Sequence, residues 1–225
     1  MTGSADSIGL RSLVPKAFRR RIADWRGRGP YAGYPDAHRC VFIHVPKAAG
    51  TAVAQSLFGV QSRHLEYREY ELANPYKFRA YFKFAFVRNP WDRLLSAYSF
   101  LRRGGMNAQD AAWAAANLDG VTRFRDFVEL LVDRPELLEW VHLRPQHRFL
   151  CDSHLLVKMD FIGRFETMRK DFATVAVRLG SPARLVERNR SEHQHYTAEY
   201  DPWSRRQVGQ IYGTDIELFG YFFDS

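Results

Sequence analysis

Lys47, Gly50 and Thr51 lie in a small-residue turn between an apolar run at residues 41–45 and a second apolar run that ends at Phe58. A strand that turns into a helix through such a loop leaves backbone N–H groups directed at one point, beside the positive end of the helix dipole. Lys47 adds a mobile positive charge, and Thr51 adds a hydroxyl donor. This arrangement predicts a site for a phosphate-like anion.

The order of glycine and lysine distinguishes this turn from the loop that binds ATP or GTP. The triphosphate-binding loop places its lysine directly after the second glycine. Here Lys47 precedes Gly50 by three residues, and no glycine lies before it in the turn. The order argues against a magnesium–triphosphate site. An ordinary strand–turn–helix junction with an exposed lysine is the other interpretation of this segment taken alone.

A second candidate anion site follows the apolar run at residues 84–87. Arg88 comes at the carboxyl end of this predicted strand, and the Asn-Pro pair after it is typical of a helix start. Ligands of open α/β sheets bind at that end of the strands, and Ser96 can lie on the same side, two turns into the helix. A structural ion pair between Arg88 and Asp92 is the alternative. Two such sites predict one ligand with phosphate-like groups at both ends.

Alternating strands and helices are predicted to position these residues. The pattern indicates an α/β fold, with a parallel sheet flanked by helices and joined by right-handed crossovers. Residues 104–152 are predicted to form a largely helical insertion beyond the sheet. Predicted strands cover residues 41–45, 83–87, 155–157 and 161–165, and predicted helices cover 50–58, 65–73, 90–103, 108–118, 124–132, 167–179, 203–212 and 214–219.

Composition favours one globular domain. The chain has 225 residues with 46% hydrophobic content, enough for one sizeable core. Residues 1–30 contain seven Lys or Arg and two Asp, so this segment carries +5 of the net charge of +8. A nucleic-acid-binding protein would more often carry its excess charge in the folded body, so no nucleic-acid partner is expected. We predict a basic leader at residues 1–37 and a single domain at residues 38–225.

The leader itself has a pattern that could contact a membrane. Apolar residues recur at near-helical spacing within residues 10–26, and Pro15 suits the first turn of a helix. Such a basic amphipathic segment predicts peripheral contact with an anionic membrane surface; packing on its own domain is the alternative. The chain has no apolar run near 18 residues and no signal-peptide core, so a cytoplasmic protein is expected. Cys40 and Cys151 are predicted to be free thiols.

Both candidate anion sites resemble the sulfotransferase superfamily that uses 3′-phosphoadenosine 5′-phosphosulfate (PAPS). The resemblance rests on Pro-Lys-Ala-Ala-Gly-Thr at residues 46–51 and Phe-Val-Arg-Asn-Pro-Trp-Asp-Arg-Leu-Leu-Ser-Ala-Tyr at residues 86–98. Weaker matches lie at residues 161–166, 189–191 and 212–221, so that the likeness runs from about residue 40 to 222. Within the superfamily the chain is most similar to the carbohydrate sulfotransferases that include the heparan 2-O- and chondroitin 4-O-enzymes, and it resembles their bacterial, cytoplasmic members.

The resemblance implies a P-loop-NTPase-like sulfotransferase fold and a role for each motif. It implies in-line transfer of a sulfuryl group from PAPS to a hydroxyl of a carbohydrate or glycolipid, with Lys47 stabilising the leaving oxygen. No metal is expected, and the sequence shows no tight His/Cys/Asp cluster at ligand spacing. Arg164 and Ser191 are expected near the nucleotide. The loop holding the 5′-phosphosulfate would be Lys47, Ala48, Ala49, Gly50, Thr51 and Ala52, and the 3′-phosphate would be bound by Arg88 and Ser96.

The general base is less clearly marked. His64 is the first choice, because this superfamily often brings a His or Glu to the acceptor side after the first helix, and neutral imidazole suits proton abstraction near pH 7. An exposed loop histidine is the alternative interpretation of His64. Glu66 and His142 are the other candidate bases, and His142 is also expected to line the acceptor pocket with Gln146. His44, inside the strand, is interpreted as a packed structural residue.

Two other functions stay open at this point. A small-molecule or nucleoside kinase shares the layered α/β design, although the glycine–lysine order of its loop is missing here. A non-catalytic nucleotide-binding protein of the same fold is the second alternative.

Overall fold

Three parallel strands form the sheet in the part of the chain that the structure, a computed structural model, describes: residues 15–186 and 195–224. The central strand is β2 (Phe82–Val87), with β1 (Cys40–Ile43) on one side and β3 (Phe161–Arg164) on the other. Because all three strands run the same way, their carboxyl ends meet at one edge of the sheet. The segments that follow β1 and β2, which contain both candidate anion sites, therefore lie side by side.

Helices flank this sheet, and the α/β fold class predicted from the sequence is confirmed. Every predicted helix forms within two residues of its predicted bounds, and three short helices form in addition, at Tyr34–His38, Pro75–Ala80 and His147–Leu150. Two 3₁₀ helices cover Pro135–Glu139 and Tyr196–Glu199. The α-helices are α1 (Lys16–Trp25), α2 (Tyr34–His38), α3 (Gly50–Phe58), α4 (Tyr67–Ala73), α5 (Pro75–Ala80), α6 (Pro90–Arg102), α7 (Ala108–Asn117), α8 (Phe124–Asp133), α9 (His147–Leu150), α10 (Met168–Arg178), α11 (Pro202–Ile211) and α12 (Gly213–Phe219).

The strand predicted at residues 155–157 does not form. Val157 makes an isolated antiparallel bridge with Cys151, and Leu155 has a left-handed backbone with φ +61°. The carboxylate of Asp152 accepts hydrogen bonds from the backbone N–H groups of His154 and Leu156, at 2.9 and 3.0 Å. These amides are satisfied locally, so the short apolar run forms a tight loop instead of a strand.

Both faces of the sheet are covered, which explains the nearly continuous apolar runs of its strands. Alternate residues of β2 belong to different cores: Ala85 packs with the tyrosines of α4, and Phe86 packs with Phe172 of α10. A third core lies between α6, α8 and α11. Cys40 and Cys151 are buried free thiols, as predicted.

The described part of the predicted leader packs on the domain. Arg20 of α1 pairs with Glu69 of α4, and Asp24 accepts a hydrogen bond from the Asn74 side chain at 3.1 Å. Tyr31 is fully buried, so the domain core already includes a residue before position 38. Residues 1–14 lie outside the described chain. Every helix in the described ranges is too short or too polar to span a bilayer.

Candidate functional site

The anion loop, residues 47–52, has the backbone shape that gathers amides around one point. Lys47 and Ala49 have left-handed backbone conformations, with φ of +66° and +60°. In the described chain, the amides of residues 50–52 donate to no carbonyl or side chain, as expected for the first turn of a helix. The nine-residue helix α3 adds its dipole to these free donors. The loop can therefore bind an anion with backbone groups alone.

Gly50 is required where the anion loop enters α3. A Cβ atom at this position would lie 1.9 Å from Cδ2 of His44. The glycine thus allows the helix to begin directly against the imidazole of the strand-end histidine. Ser62 Oγ lies 2.8 Å from His44 Nδ1, and burial lowers the pKa of His44 to about 3. His44 is therefore a neutral, packed side chain, in agreement with the sequence-based interpretation.

Lys47 is a half-buried cation that has no carboxylate partner in the described chain. Its Nζ lies 3.9 Å from the centroid of the Phe100 ring, and no carboxylate of the described chain lies within ion-pair distance. Burial, followed by the positive charge of Arg88, lowers the pKa of Lys47 to about 8. Removing an ammonium group from water is unfavourable unless another charge compensates. The site is thus arranged to receive an anion beside Lys47.

Arg88 contacts both the anion loop and Asp92. Its Nη1 donates to the Lys47 carbonyl oxygen at 3.1 Å, while Nε and Nη2 donate to the Asp92 carboxylate at 2.7 and 2.8 Å. The ion pair considered as an alternative therefore forms, and the same guanidinium also joins the two candidate sites into one basic cleft. Ser96 is half-buried on α6, and its hydroxyl makes no hydrogen bond within the described chain.

Gln146 has a different position from the one expected of an acceptor contact. Its side chain is fully buried. The side-chain amide pairs with both backbone groups of Arg88: Oε1 accepts from the N–H at 3.0 Å, and Nε2 donates to the carbonyl oxygen at 2.8 Å. Its own N–H donates to Asp215 at 2.7 Å. Gln146 therefore fixes the end of β2, and both groups of its side-chain amide already have partners.

His64 has the tautomer that a general base needs. Its Nδ1 lies 3.0 Å from the His44 carbonyl oxygen, which can only accept, so Nδ1 carries the proton and Nε2 carries the lone pair. Burial lowers the pKa of His64 from 6.5, which keeps the ring neutral at physiological pH. The ring centroid lies 5.7 Å from that of His142, and Lys47 is close enough to contribute to the pKa shift.

His142 forms a buried pair with Asp110, which the sequence analysis did not identify. His142 Nε2 lies 3.0 Å from Asp110 Oδ1, and both side chains are buried. Burial lowers the pKa of His142 in spite of the opposing effect of the Asp110 carboxylate, and its Nδ1 is buried without a partner in the described chain. Asp110 lies in the first turn of an alanine-rich helix, where an aspartate is ordinarily a helix-stabilising residue. No local signal therefore marked it as part of the site.

The remaining candidates lie around the histidine cluster, formed by His44, His64 and His142, or outside it. Glu66 accepts a hydrogen bond from Arg144 Nη1 at 2.7 Å, so its carboxylate is already neutralised. Arg164 donates to the Phe219 carbonyl and stacks over a tyrosine ring near the end of the chain. Ser191 lies outside the described residues. Among the described residues, no group of three or more His, Cys, Asp or Glu side chains could hold a metal ion.

A known protein family matches most of this chain. Residues 34–222 match the model of the Sulfotransferase family. The chain is similar to carbohydrate sulfotransferase 14 of Danio rerio (29% identity, covering 83% of this chain and 60% of the relative). It is also similar to human carbohydrate sulfotransferase 8 (26% identity, covering 96% of this chain and 58% of the relative). Human carbohydrate sulfotransferase 9 is 23% identical, over 83% of this chain and 52% of the relative.

These relatives are longer proteins, and the chain spans between half and three-fifths of their length. No solved structure matches the chain significantly. The family model, in contrast, covers most of the chain and includes both basic loops and the histidine cluster. The chain therefore belongs to the Sulfotransferase family.

Proposed function

We propose that this protein is a sulfotransferase that moves a sulfuryl group from PAPS to a hydroxyl of a carbohydrate acceptor. The observation that carries the proposal is Lys47, a half-buried lysine without a carboxylate partner in the described chain, placed beside free helix-start amides. Membership of the Sulfotransferase family supports the reaction class, and the names of the relatives support the acceptor class.

The residues present fit this donor. The anion loop offers backbone donors for the 5′-phosphosulfate, and the exposed Thr51 can add its hydroxyl. Arg88, joined to the loop through the Lys47 carbonyl, is the group that we assign to the 3′-phosphate. Its pairing with Asp92 presents the guanidinium in a fixed orientation, so less side-chain freedom is lost on binding.

The chemistry needs alignment, charge stabilisation and removal of a proton. PAPS supplies a sulfuryl group whose bond to a phosphate oxygen breaks as the acceptor oxygen attacks in line. Lys47 stabilises the negative charge that grows on that phosphate oxygen. His64 accepts the acceptor proton at Nε2, the ring nitrogen that its hydrogen bond to the His44 carbonyl leaves free.

The acceptor is proposed from the relatives alone. A sugar hydroxyl on a polysaccharide, an oligosaccharide or a glycolipid fits their printed names. A cytoplasmic location and membership of the bacterial branch stay predictions.

Donor binding tests the proposal first. PAPS is expected to raise the thermal unfolding temperature, because it binds only the folded state, whereas ATP with magnesium is expected to leave it unchanged. The reverse result would favour a kinase. Transfer of sulfur-35 from PAPS to a panel of saccharides then separates an enzyme from a non-catalytic binding protein.

The proton-transfer role is tested by His64→Ala. Turnover is expected to fall at least about tenfold, while the desulfated product 3′-phosphoadenosine 5′-phosphate still binds. His154→Ala is the matched control, since His154 is an exposed loop histidine. Turnover at the wild-type level would exclude His64 and transfer the role to His142 or Glu66.

A further inference from the structure

Exposed aromatic side chains gather on α1 and α5, away from the anion loop. Phe18 and Trp25 are seven residues apart on α1, so they lie on the same side of the helix, and they are 56% and 84% exposed. Tyr76, at the start of α5, is 76% exposed. Trp25 and Tyr76 line one cavity of about 580 Å³. Aromatic rings from two separate helices therefore form one exposed surface.

Arginines continue this surface. Arg21 lines the cavity beside Trp25, and a second cavity of about 690 Å³, lined by Arg39, Arg79 and Arg178, lies at the other end of α5. The guanidinium of Arg79 lies 5.2 Å from the ring centroid of Tyr76, which connects the two cavities. In the described chain, none of the four arginines lies within ion-pair distance of a carboxylate.

Three carboxylates of the same surface pair with two lysines. Lys77 lies 3.3 Å from the Asp24 carboxylate and 2.8 Å from that of Asp36, and Lys83 lies 2.8 Å from that of Asp160. Each of these acids lines one of the two cavities. The two lysines offset two of the three acids. The lining of the two cavities holds six Lys or Arg and three Asp, so a net charge of +3 remains available to an external partner.

We infer that this basic aromatic face docks on the surface of an anionic lipid bilayer. Exposed Trp and Tyr rings suit the boundary between headgroups and acyl chains, and arginines attract acidic lipids. A second copy in a two-fold contact is a less favourable partner, because it would bring together two faces of the same net positive charge. The basic aromatic face consists of Phe18, Arg21, Trp25, Arg39, Tyr76 and Arg79.

The same assignment orients the enzyme on the membrane. Arg39 directly precedes β1, and Arg79 lies in the helix that precedes β2, whereas Lys47 and Arg88 follow the carboxyl ends of these strands. The six residues of β2 span about 20 Å. A docked molecule therefore turns its basic cleft toward the water. The acceptor would reach the cleft from the aqueous side, which favours a soluble or extended saccharide over a short glycolipid headgroup.

Vesicle co-sedimentation of the full chain tests this inference without any assay of sulfuryl transfer. Binding is expected to vesicles of equal parts phosphatidylcholine and phosphatidylglycerol, and not to phosphatidylcholine alone. Arg39→Gln with Arg79→Gln should weaken binding about thirtyfold at low salt. Phe18→Ser with Trp25→Ser should weaken it about tenfold. These residues are exposed, so thermal unfolding is expected to stay at the wild-type temperature.

Matched controls place equivalent changes elsewhere. Arg134→Gln with Arg206→Gln removes the same charge from other exposed positions, and Leu156→Ser removes an exposed apolar side chain; both should bind as the wild type does. Equal loss in these controls, equal binding to neutral vesicles, or no binding at all would overturn the inference. So would displacement by an RNA oligonucleotide at equal charge concentration, or self-association that the arginine changes strengthen.

Discussion

Replacing Lys47 with methionine removes the one charge that the proposed reaction needs most. Methionine has a similar length and remains apolar, so it can still cover the Phe100 ring on which Nζ now lies at 3.9 Å. The backbone at this position is expected to stay unchanged, because neither lysine nor methionine is favoured over the other at a φ of +66°. The perturbation is thus close to a pure loss of charge at the anion loop.

The size of the effect follows from Coulomb's law. Two unit charges about 4 Å apart interact by about 4 kcal/mol at an effective dielectric constant of about 20. If about half a unit of charge develops on the leaving oxygen, the transition state loses about 2 kcal/mol relative to bound donor, or about thirtyfold in kcat. The full interaction appears in kcat/KM, which should fall about a thousandfold.

Sulfur-35 transfer measured against PAPS concentration gives both constants. Lys158→Met is the control, since it also removes one lysine charge, from an ion pair with Asp152 in a loop. A Lys47→Met enzyme with kcat and donor affinity equal to wild type would refute the assignment of the leaving group. A fall in donor affinity alone would show that Lys47 binds the donor without stabilising the transition state.

Three further results are expected. In a pH–rate profile, kcat/KM should fall as pH rises through about 8, because Lys47 loses its proton there. At the acidic side, kcat/KM should fall only below pH 6.5, because burial lowers the pKa of His64. A fall that begins above pH 6.5 would contradict His64 as a neutral base. Asp110→Asn removes the carboxylate that holds His142, so turnover should fall while the desulfated donor still binds in calorimetry, and unchanged turnover would limit this pair to a structural role. Gln146→Leu leaves the backbone N–H and C=O of Arg88 unpaired. The free energy of unfolding in urea should therefore fall by about 1–3 kcal/mol for each group. An unchanged midpoint would mean that water replaces the side-chain amide.

Local sequence patterns were sufficient to predict the two candidate anion sites. The anion loop and the segment after β2 each combine an apolar strand, a turn and a helix start within about twenty residues, and such signals depend on neighbouring residues only. The bounds of the helices followed for the same reason. The strand at residues 155–157 was predicted wrongly because the Asp152 carboxylate binds the amides of His154 and Leu156 in a tight loop. Hydrophobic periodicity does not describe such a contact.

The sequence by itself determined that the chain has two basic loops at strand ends and a histidine, His64, after the helix that follows the anion loop. Only the tertiary structure decided how these parts act together. The contacts of Arg88 with Lys47 and of His142 with Asp110 join residues 41 and 32 positions apart. The bond from Gln146 to Arg88 spans 58 positions. Such pairings depend on how helices pack across the sheet edge, and burial then sets the pKa values, so no local propensity encodes them.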